Sequence, residues 1–137
     1  MDHPTADGIS AVLDADAPIL VVDDEDAMRH LVAQRLRVLG HEVVTARSVD
    51  ESIDLLERQR LGAVLSDARM PGATGLDLLA YVRQRRPRLP YVLMSADVDN
   101  VLEHDALAAG ATAVFEKTVL LEALHDIFVA GAHDAAA

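Results

Sequence analysis

Residues 19–40 read ILVVDDEDAMRHLVAQRLRVLG, and this stretch decides the fold. Its first four residues, Ile19 to Val22, are wholly apolar, as expected of a short strand buried on both faces. The run ends in acid at Asp23 and Asp24. From Asp26 the spacing becomes helical: Met28, Leu31, Val32, Leu36 and Leu39 share one face, and Gly40 stands where a helix terminates. The order is strand, acidic turn, helix.

The same unit recurs along the chain. Residues 42–46 read as a second strand, and Ser48 with Glu51 forms a capping box that opens a helix through Val49, Ile53 and Leu56. Residues 63–66 form a third strand, followed by Asp67 and a loop, Arg69-Met70-Pro71-Gly72. Thr74 with Asp77 caps the next helix, which carries Leu76, Leu79 and Val82 and closes before Pro87 and Pro90. Residues 91–94 make a fourth strand ending at Ser95, and Val98, Val101, Leu102, Ala106 and Ala109 mark a helix closed by Gly110. Residues 113–115 make a fifth strand ending near Lys117, and Leu120, Leu121, Leu124, Ile127 and Phe128 mark the last helix.

Five βα units with two-sided apolar strands imply an α/β protein, a doubly wound five-stranded parallel sheet with helices on both faces. By precedent for such sheets the order is 2-1-3-4-5, which puts the ligand crevice between strands 1 and 3, where the winding reverses. Residues 1–17 and 131–137 are rich in Ala and Asp without periodicity and read as tails, so the domain is expected over residues 18–130.

Composition narrows the function. The chain of 137 residues has no cysteine, so thiol catalysis, disulfides and cysteine-held metals are excluded, and any metal must sit on oxygen or imidazole. The net charge of −11 argues against direct nucleic-acid binding, which depends on Lys and Arg displacing counterions from phosphates. No apolar run approaches the roughly 20 residues of a membrane span, and the N-terminus lacks the pattern of a secretory signal, so a cytoplasmic protein with no membrane partner is expected. The cations are uneven: one group lies at Arg29, Arg35 and Arg37, another between Arg83 and Arg88, and Lys117 is the only lysine.

In a parallel sheet all strand C-termini lie along one edge, so Asp23, Asp24, Asp67, Ser95 and Lys117 are expected to meet there. Converging carboxylates repel and raise one another's pKa unless a cation sits among them. The expected cation is Mg²⁺ (or Mn²⁺), which takes a few carboxylates and leaves positions for phosphoryl oxygens. Asp67 is then placed to attack phosphorus and form an acyl phosphate, with Lys117 and the Ser95 hydroxyl receiving the phosphoryl oxygens.

The segments ILVVDDEDAMRHLV, LSDARMPGATGLDLL, YVLMSA and GATAVFEK, in this order and spacing, resemble the receiver (response regulator, CheY-like) domains of two-component signalling. The resemblance covers about residues 18–130, and its middle segment looks most like nitrogen-regulation-type or hybrid-kinase receivers. It implies a flavodoxin-like (βα)5 fold and a signalling domain rather than an enzyme, one that assists its own phosphotransfer and slow dephosphorylation. It implies Asp67 as phosphoacceptor, Asp24 as a direct metal ligand, Asp23 as a more remote one, and the Arg69 backbone carbonyl as a further ligand. The implied phosphoryl donor is a sensor histidine kinase or a histidine phosphotransfer protein. Arg69 and Asp97 are expected to border the phosphoryl group and modulate its lifetime by pairing.

Two positions depart from the family pattern. Val114 stands where receivers usually carry an aromatic switch residue, and Thr118 follows the lysine where Pro is usual. Phe115 is the nearby aromatic, and strand alternation points it to the opposite face. After Arg88 the only cation is Lys117, so the last helices lack the cations for dimer salt bridges, and the isolated domain is expected to be monomeric.

Two other readings stay open at this point. Asp24-Glu25-Asp26 mimics the Asp-x-Asp of haloacid-dehalogenase-type phosphatases, with Asp24 as nucleophile, although Met28 stands where a hydroxyl residue is expected. A pseudo-receiver that never meets phosphate is the third reading. The histidines show no metal-ligand spacing, so His30, His41, His104 and His125 read as surface residues, and no glycine-rich phosphate loop is present.

Overall fold

The short apolar runs become the strands, and the helical stripes become the helices that cover them. The structure, a computed structural model, describes residues 16–136, with side chains up to Phe128. Residues 1–15 of the expected N-terminal tail lie outside the described residues. In chain order the elements are β1 (Ile19–Val22), α1 (Asp26–Val38), β2 (Val43–Ala46), α2 (Val49–Arg58) and β3 (Ala63–Asp67). There follow α3 (Gly75–Arg85), β4 (Tyr91–Ser95), α4 (Asn100–Ala108), β5 (Ala113–Glu116) and α5 (Lys117–Ala136). All strand pairs are parallel and the order is β2-β1-β3-β4-β5, as expected from the sequence. Helix α5 continues through Ala136, into the stretch that reads as a tail; alanine, the strongest helix former, dominates there.

Alternation along each strand sorts the core into two layers. Leu20, Val22, Val64, Leu93 and Val114 face α2, α3 and α4, meeting Leu56, Leu78, Leu79 and Val82. Ile19, Val21, Leu65, Met94 and Phe115 face α1 and α5, meeting Val32, Leu36, Leu120, Leu124 and Phe128. Val114 and Phe115 thus lie on opposite faces, as the alternation requires. A fully buried Leu or Val stabilises by about 1.5–3 kcal/mol, and the helices differ in how many they supply. Helix α4 buries only Ala106, while Val101 is 68% exposed, which makes α4 the least anchored of the described helices.

Local signals set the boundaries. Ser48 caps α2 by accepting from the Glu51 amide at 3.1 Å, but the Glu51 carboxylate takes the Arg47 amide, one residue earlier than in a full capping box. Thr74 and Asp77 form the complete reciprocal box on α3. Asp99 caps α4 through the Leu102 amide at 2.8 Å. Gly40 adopts φ +99°, which lets the amides of Gly40 and His41 turn back to the carbonyls of Arg37 and Leu36. His41 departs from its surface assignment: it is half-buried, with Nε2 3.1 Å from the Phe128 carbonyl and its ring edge-on to Phe128. Burial pulls its pKa below the ordinary histidine value.

The start of α3 is held close to the end of β3. The Gly75 amide donates to the Ala68 carbonyl at 3.1 Å, and the buried Tyr91 hydroxyl donates to the Gly75 carbonyl at 2.7 Å.

Candidate functional site

The β1–α1 turn carries the first acids. Asp23 is fully buried, and its Oδ1 accepts the Glu25 amide at 3.0 Å. Arg29, buried in the first turns of α1, donates to the Asp23 backbone carbonyl at 2.9 Å and to Asp26 Oδ1. This guanidinium locks the turn so that Asp23 points inward while Asp24 stays exposed. Arg29 was not among the expected site residues. The available signal was its position on the apolar stripe, one turn before Val32 and two before Leu36.

Asp67 closes β3, buried, with Oδ1 accepting the Arg69 amide at 3.2 Å. Lys117 opens α5 and reaches back across the sheet edge. Its Nζ lies 3.1 Å from Asp23 Oδ2, 3.5 Å from Asp67 Oδ2 and 4.0 Å from Glu25 Oε1. Glu25 is thus a second residue that the sequence reading left out. Ligand oxygens of Asp23, Asp24 and Asp67 lie within 4.8 Å of one another. The structure therefore brings together the acids and the lysine expected at this edge.

The electrostatics of the group are unbalanced. Burial, with Asp23 close by, pushes the Asp67 carboxyl up to about 6 against the pull of the Arg69 amide and Lys117. Burial alone would lower the Lys117 pKa, but the surrounding carboxylates, Asp23 first, hold it above its ordinary value. Asp23 Oδ2 is buried without a hydrogen bond and meets only the Lys117 ammonium as an ion-pair partner. Three hard-oxygen carboxylates, one of them incompletely satisfied, against one ammonium make a donor set that fits a divalent cation of the Mg²⁺ kind.

Ser95 ends β4, buried, and its hydroxyl donates to the Asp97 carbonyl at 3.0 Å. Arg69 and Asp97 are both exposed, and no ion pair joins them in this structure; the pairing expected from the sequence is one made around a phosphoryl group. Each sits in a solvated loop, where holding two long or mobile side chains together gains little. Asp26 turns to Arg29 and, at 3.4 Å, to Arg47, and these cations, Arg29 first, lower its pKa. It stands outside the acid cluster and is a poor proton donor, so the second acid of the phosphatase reading is missing from the site.

Comparison with known proteins agrees with this geometry. The family model for the response regulator receiver domain matches residues 19–129. This chain belongs to that family. It is similar to the response regulator protein FleR of Pseudomonas aeruginosa, 36% identical over 113 residues that cover 81% of this chain and 24% of FleR. It is similar also to the DNA-binding transcriptional regulator NtrC of Klebsiella pneumoniae, 38% identical over 79 residues, 58% of this chain and 17% of NtrC. Among solved structures, a response regulator receiver protein from Pseudomonas putida superposes with a TM-score of 0.75 at 30% identity, covering 81% of this chain and 94% of that one. The chain thus spans about a quarter or less of the length of these curated relatives.

Proposed function

We propose that this receiver domain accepts a phosphoryl group on Asp67 from a phosphohistidine of a sensor histidine kinase or histidine phosphotransfer protein. The observation that carries the reading is the meeting of Asp23, Asp24 and Asp67 within 4.8 Å, with Lys117 3.5 Å from Asp67. A carboxylate oxygen of Asp67 attacks phosphorus, the P–N bond of the donor breaks, and the histidine nitrogen leaves with the electron pair and takes a proton. Lys117 is placed to pair with the phosphoryl oxygens, and Ser95, released from Asp97, to donate a hydrogen bond to one of them. Asp23, Asp24 and Asp67, with the Arg69 backbone carbonyl, would hold Mg²⁺ (or Mn²⁺). Once bound, such an ion supplies charge neutralisation at the phosphoryl oxygens.

The domain acts as a switch rather than as a catalyst on a metabolite, and its product is its own modified surface. The reading places it in the cytoplasm, alongside the phosphoryl donor. Incubation with acetyl phosphate and Mg²⁺ is expected to add one alkali-labile phosphoryl group, seen by intact mass and absent in Asp67→Ala. A label mapped to Ser95 or to a histidine would overturn the assignment.

A further inference from the structure

The arginines that the phosphoryl site does not use collect at the other pole of the molecule. Arg58, Arg83, Arg85, Arg86 and Arg88 lie at the C-terminal ends of α2 and α3 and in the turn before β4, where the strands start. The acid cluster sits where the strands end, so the chain, with a net charge of −11, is polarised along the sheet.

Arg83 and Arg86 build the pole. Arg86 donates to the carbonyls of Leu56 and Gln59 and so joins the end of α3 to the end of α2. Arg83 donates through Nε to the Gly110 carbonyl at 2.8 Å and through a terminal nitrogen to the Arg86 carbonyl at 3.2 Å, which ties the turn after α4 to the same place. Arg58, Arg85 and Arg88 are exposed on this fixed platform.

These exposed charges are loosely held. Arg58 meets Asp54 at 3.0 Å and Arg85 meets Glu57 at 3.8 Å, solvated pairs that contribute little. Arg88 has no ion-pair partner among the described residues. The Arg85 guanidinium lies 4.9 Å from the centre of the Tyr81 ring, and the Tyr81 hydroxyl donates to Glu57 Oε2 at 2.8 Å. Glu57 therefore keeps a partner in Tyr81 when Arg85 turns to another carboxylate. A cleft of about 430 Å³, lined by Leu56, Glu57, Tyr81, Val82, Arg85 and Arg86, opens between α2 and α3.

We propose that this pole is a docking site for an acidic segment of a partner protein, whose carboxylates pair with Arg58, Arg85 and Arg88, one of them entering the cleft beside Tyr81. The guanidinium fork matches a carboxylate with two parallel hydrogen bonds, which the longer contact to Glu57 does not supply. Nucleic acid fits less well. It brings one charge per about 1.7 Å, so within the screening length of about 10 Å it meets the repulsion of the whole acidic body, and three separated guanidinia offer few phosphate contacts. The site stands at the opposite end of the strands from Asp67 and does not depend on the phosphoryl reading.

A dye-labelled glutamate-rich peptide and the full chain test this. At low salt, fluorescence anisotropy is expected to show binding that is lost in about 1 M NaCl, where the screening length falls to about 3 Å. Amide shifts in the parent are expected over residues 56–60 and 81–88. The variant Arg58→Gln/Arg85→Gln/Arg88→Gln, which keeps the arginines bonded to backbone, should bind about tenfold more weakly, as the loss of three exposed pairs implies. Arg35→Gln/Arg37→Gln/Arg47→Gln removes the same charge elsewhere and should bind as the parent does. No binding at low salt, equal weakening in the two variants, shifts centred away from this pole, or tighter binding of a DNA oligonucleotide of the same charge would each overturn the proposal.

Discussion

A methyl group at Gly75 would stand 2.3 Å from the carbonyl oxygen of Asp67, and 3.0 Å from both Ala68 Cα and Leu93 Cδ1. The helix following the acceptor loop therefore approaches the acceptor's own backbone at a distance that only glycine allows. Since the obstructing atom is main chain, it cannot swing aside. Gly75→Ala is expected to destabilise by about 1–3 kcal/mol, as overpacking does, and to slow acetyl phosphate labelling by displacing Asp67. Gly72→Ala serves as the contrast: it has φ +78° and nothing within 4 Å, so it should cost backbone strain only and leave the labelling rate unchanged. Urea midpoints and labelling time courses for the two variants check this, and equal labelling rates would contradict it.

The raised Asp67 pKa makes a signed prediction. A carboxyl at about 6 in the folded state, against 3.8 as its ordinary value, holds its proton in the fold at pH values where the unfolded chain has lost it. In that window the folded state binds more protons, so stability falls as pH rises from about 4 to about 6 in the absence of divalent cation. Asp67→Asn should flatten that part of the profile and be the more stable protein at neutral pH. Urea unfolding across the window in a chelating buffer measures it; parallel profiles for the two proteins would refute it.

Divalent cation should reverse the penalty. Ligand that binds only the folded state raises stability by mass action, so millimolar Mg²⁺ is expected to raise the melting temperature of the parent. Asp24→Asn, which removes the exposed carboxylate of the cluster, should abolish most of the rise. An identical melting temperature with and without Mg²⁺ in the parent would count against the site.

Arg29 offers a test of positioning as distinct from chemistry. Its guanidinium bonds the Asp23 carbonyl and Asp26 from a buried position, and hydrogen bonds to charged groups are worth about 1.5–3 kcal/mol. Arg29→Met keeps the aliphatic stem and loses the bonds, so it should lower stability on that scale and weaken Mg²⁺ binding through a looser Asp23. Calorimetric titration with Mg²⁺ reads the second effect, and unchanged affinity would limit Arg29 to a structural role.

The small side chain at Val114 bears on how the modified state is transmitted. Val114 is buried among the α2–α4 layer and stiff at χ1, so it supplies no large rotamer change. Helix α4, with Ala106 as its only buried residue, is the element free to shift. With a beryllofluoride mimic, hydrogen exchange is expected to change most over residues 95–109 and little at Val114, and light scattering to find a monomer. Dimerisation, or a change centred on β5, would contradict the proposed route.

The fold was legible because strands buried on both faces and helices with one apolar stripe leave different periods in the chain, and β1, β3, β4 and β5 run into Asp23, Asp67, Ser95 and Lys117. The acids, Ser95 and Lys117 could be placed on one edge from that pattern alone. Arg29 and Glu25 could not, since their roles depend on side chains folding back over a turn whose shape periodicity does not encode. The Arg69–Asp97 pairing expected around the phosphoryl group is beyond periodicity for a similar reason: it rests on loop rotamers in solvent. His41 meets Phe128, 87 residues further along the chain, a contact that periodicity does not encode.

Lys117 has one more consequence. It is the first residue of the final helix, yet its ammonium balances carboxylates contributed by the first and third strands. A ribosome must therefore deliver nearly the whole domain before the charge cluster can assemble. If Asp67 takes a phosphoryl group as proposed, a chain that stops before Lys117 carries the acceptor without its counter-charge, so only finished molecules would answer an upstream donor.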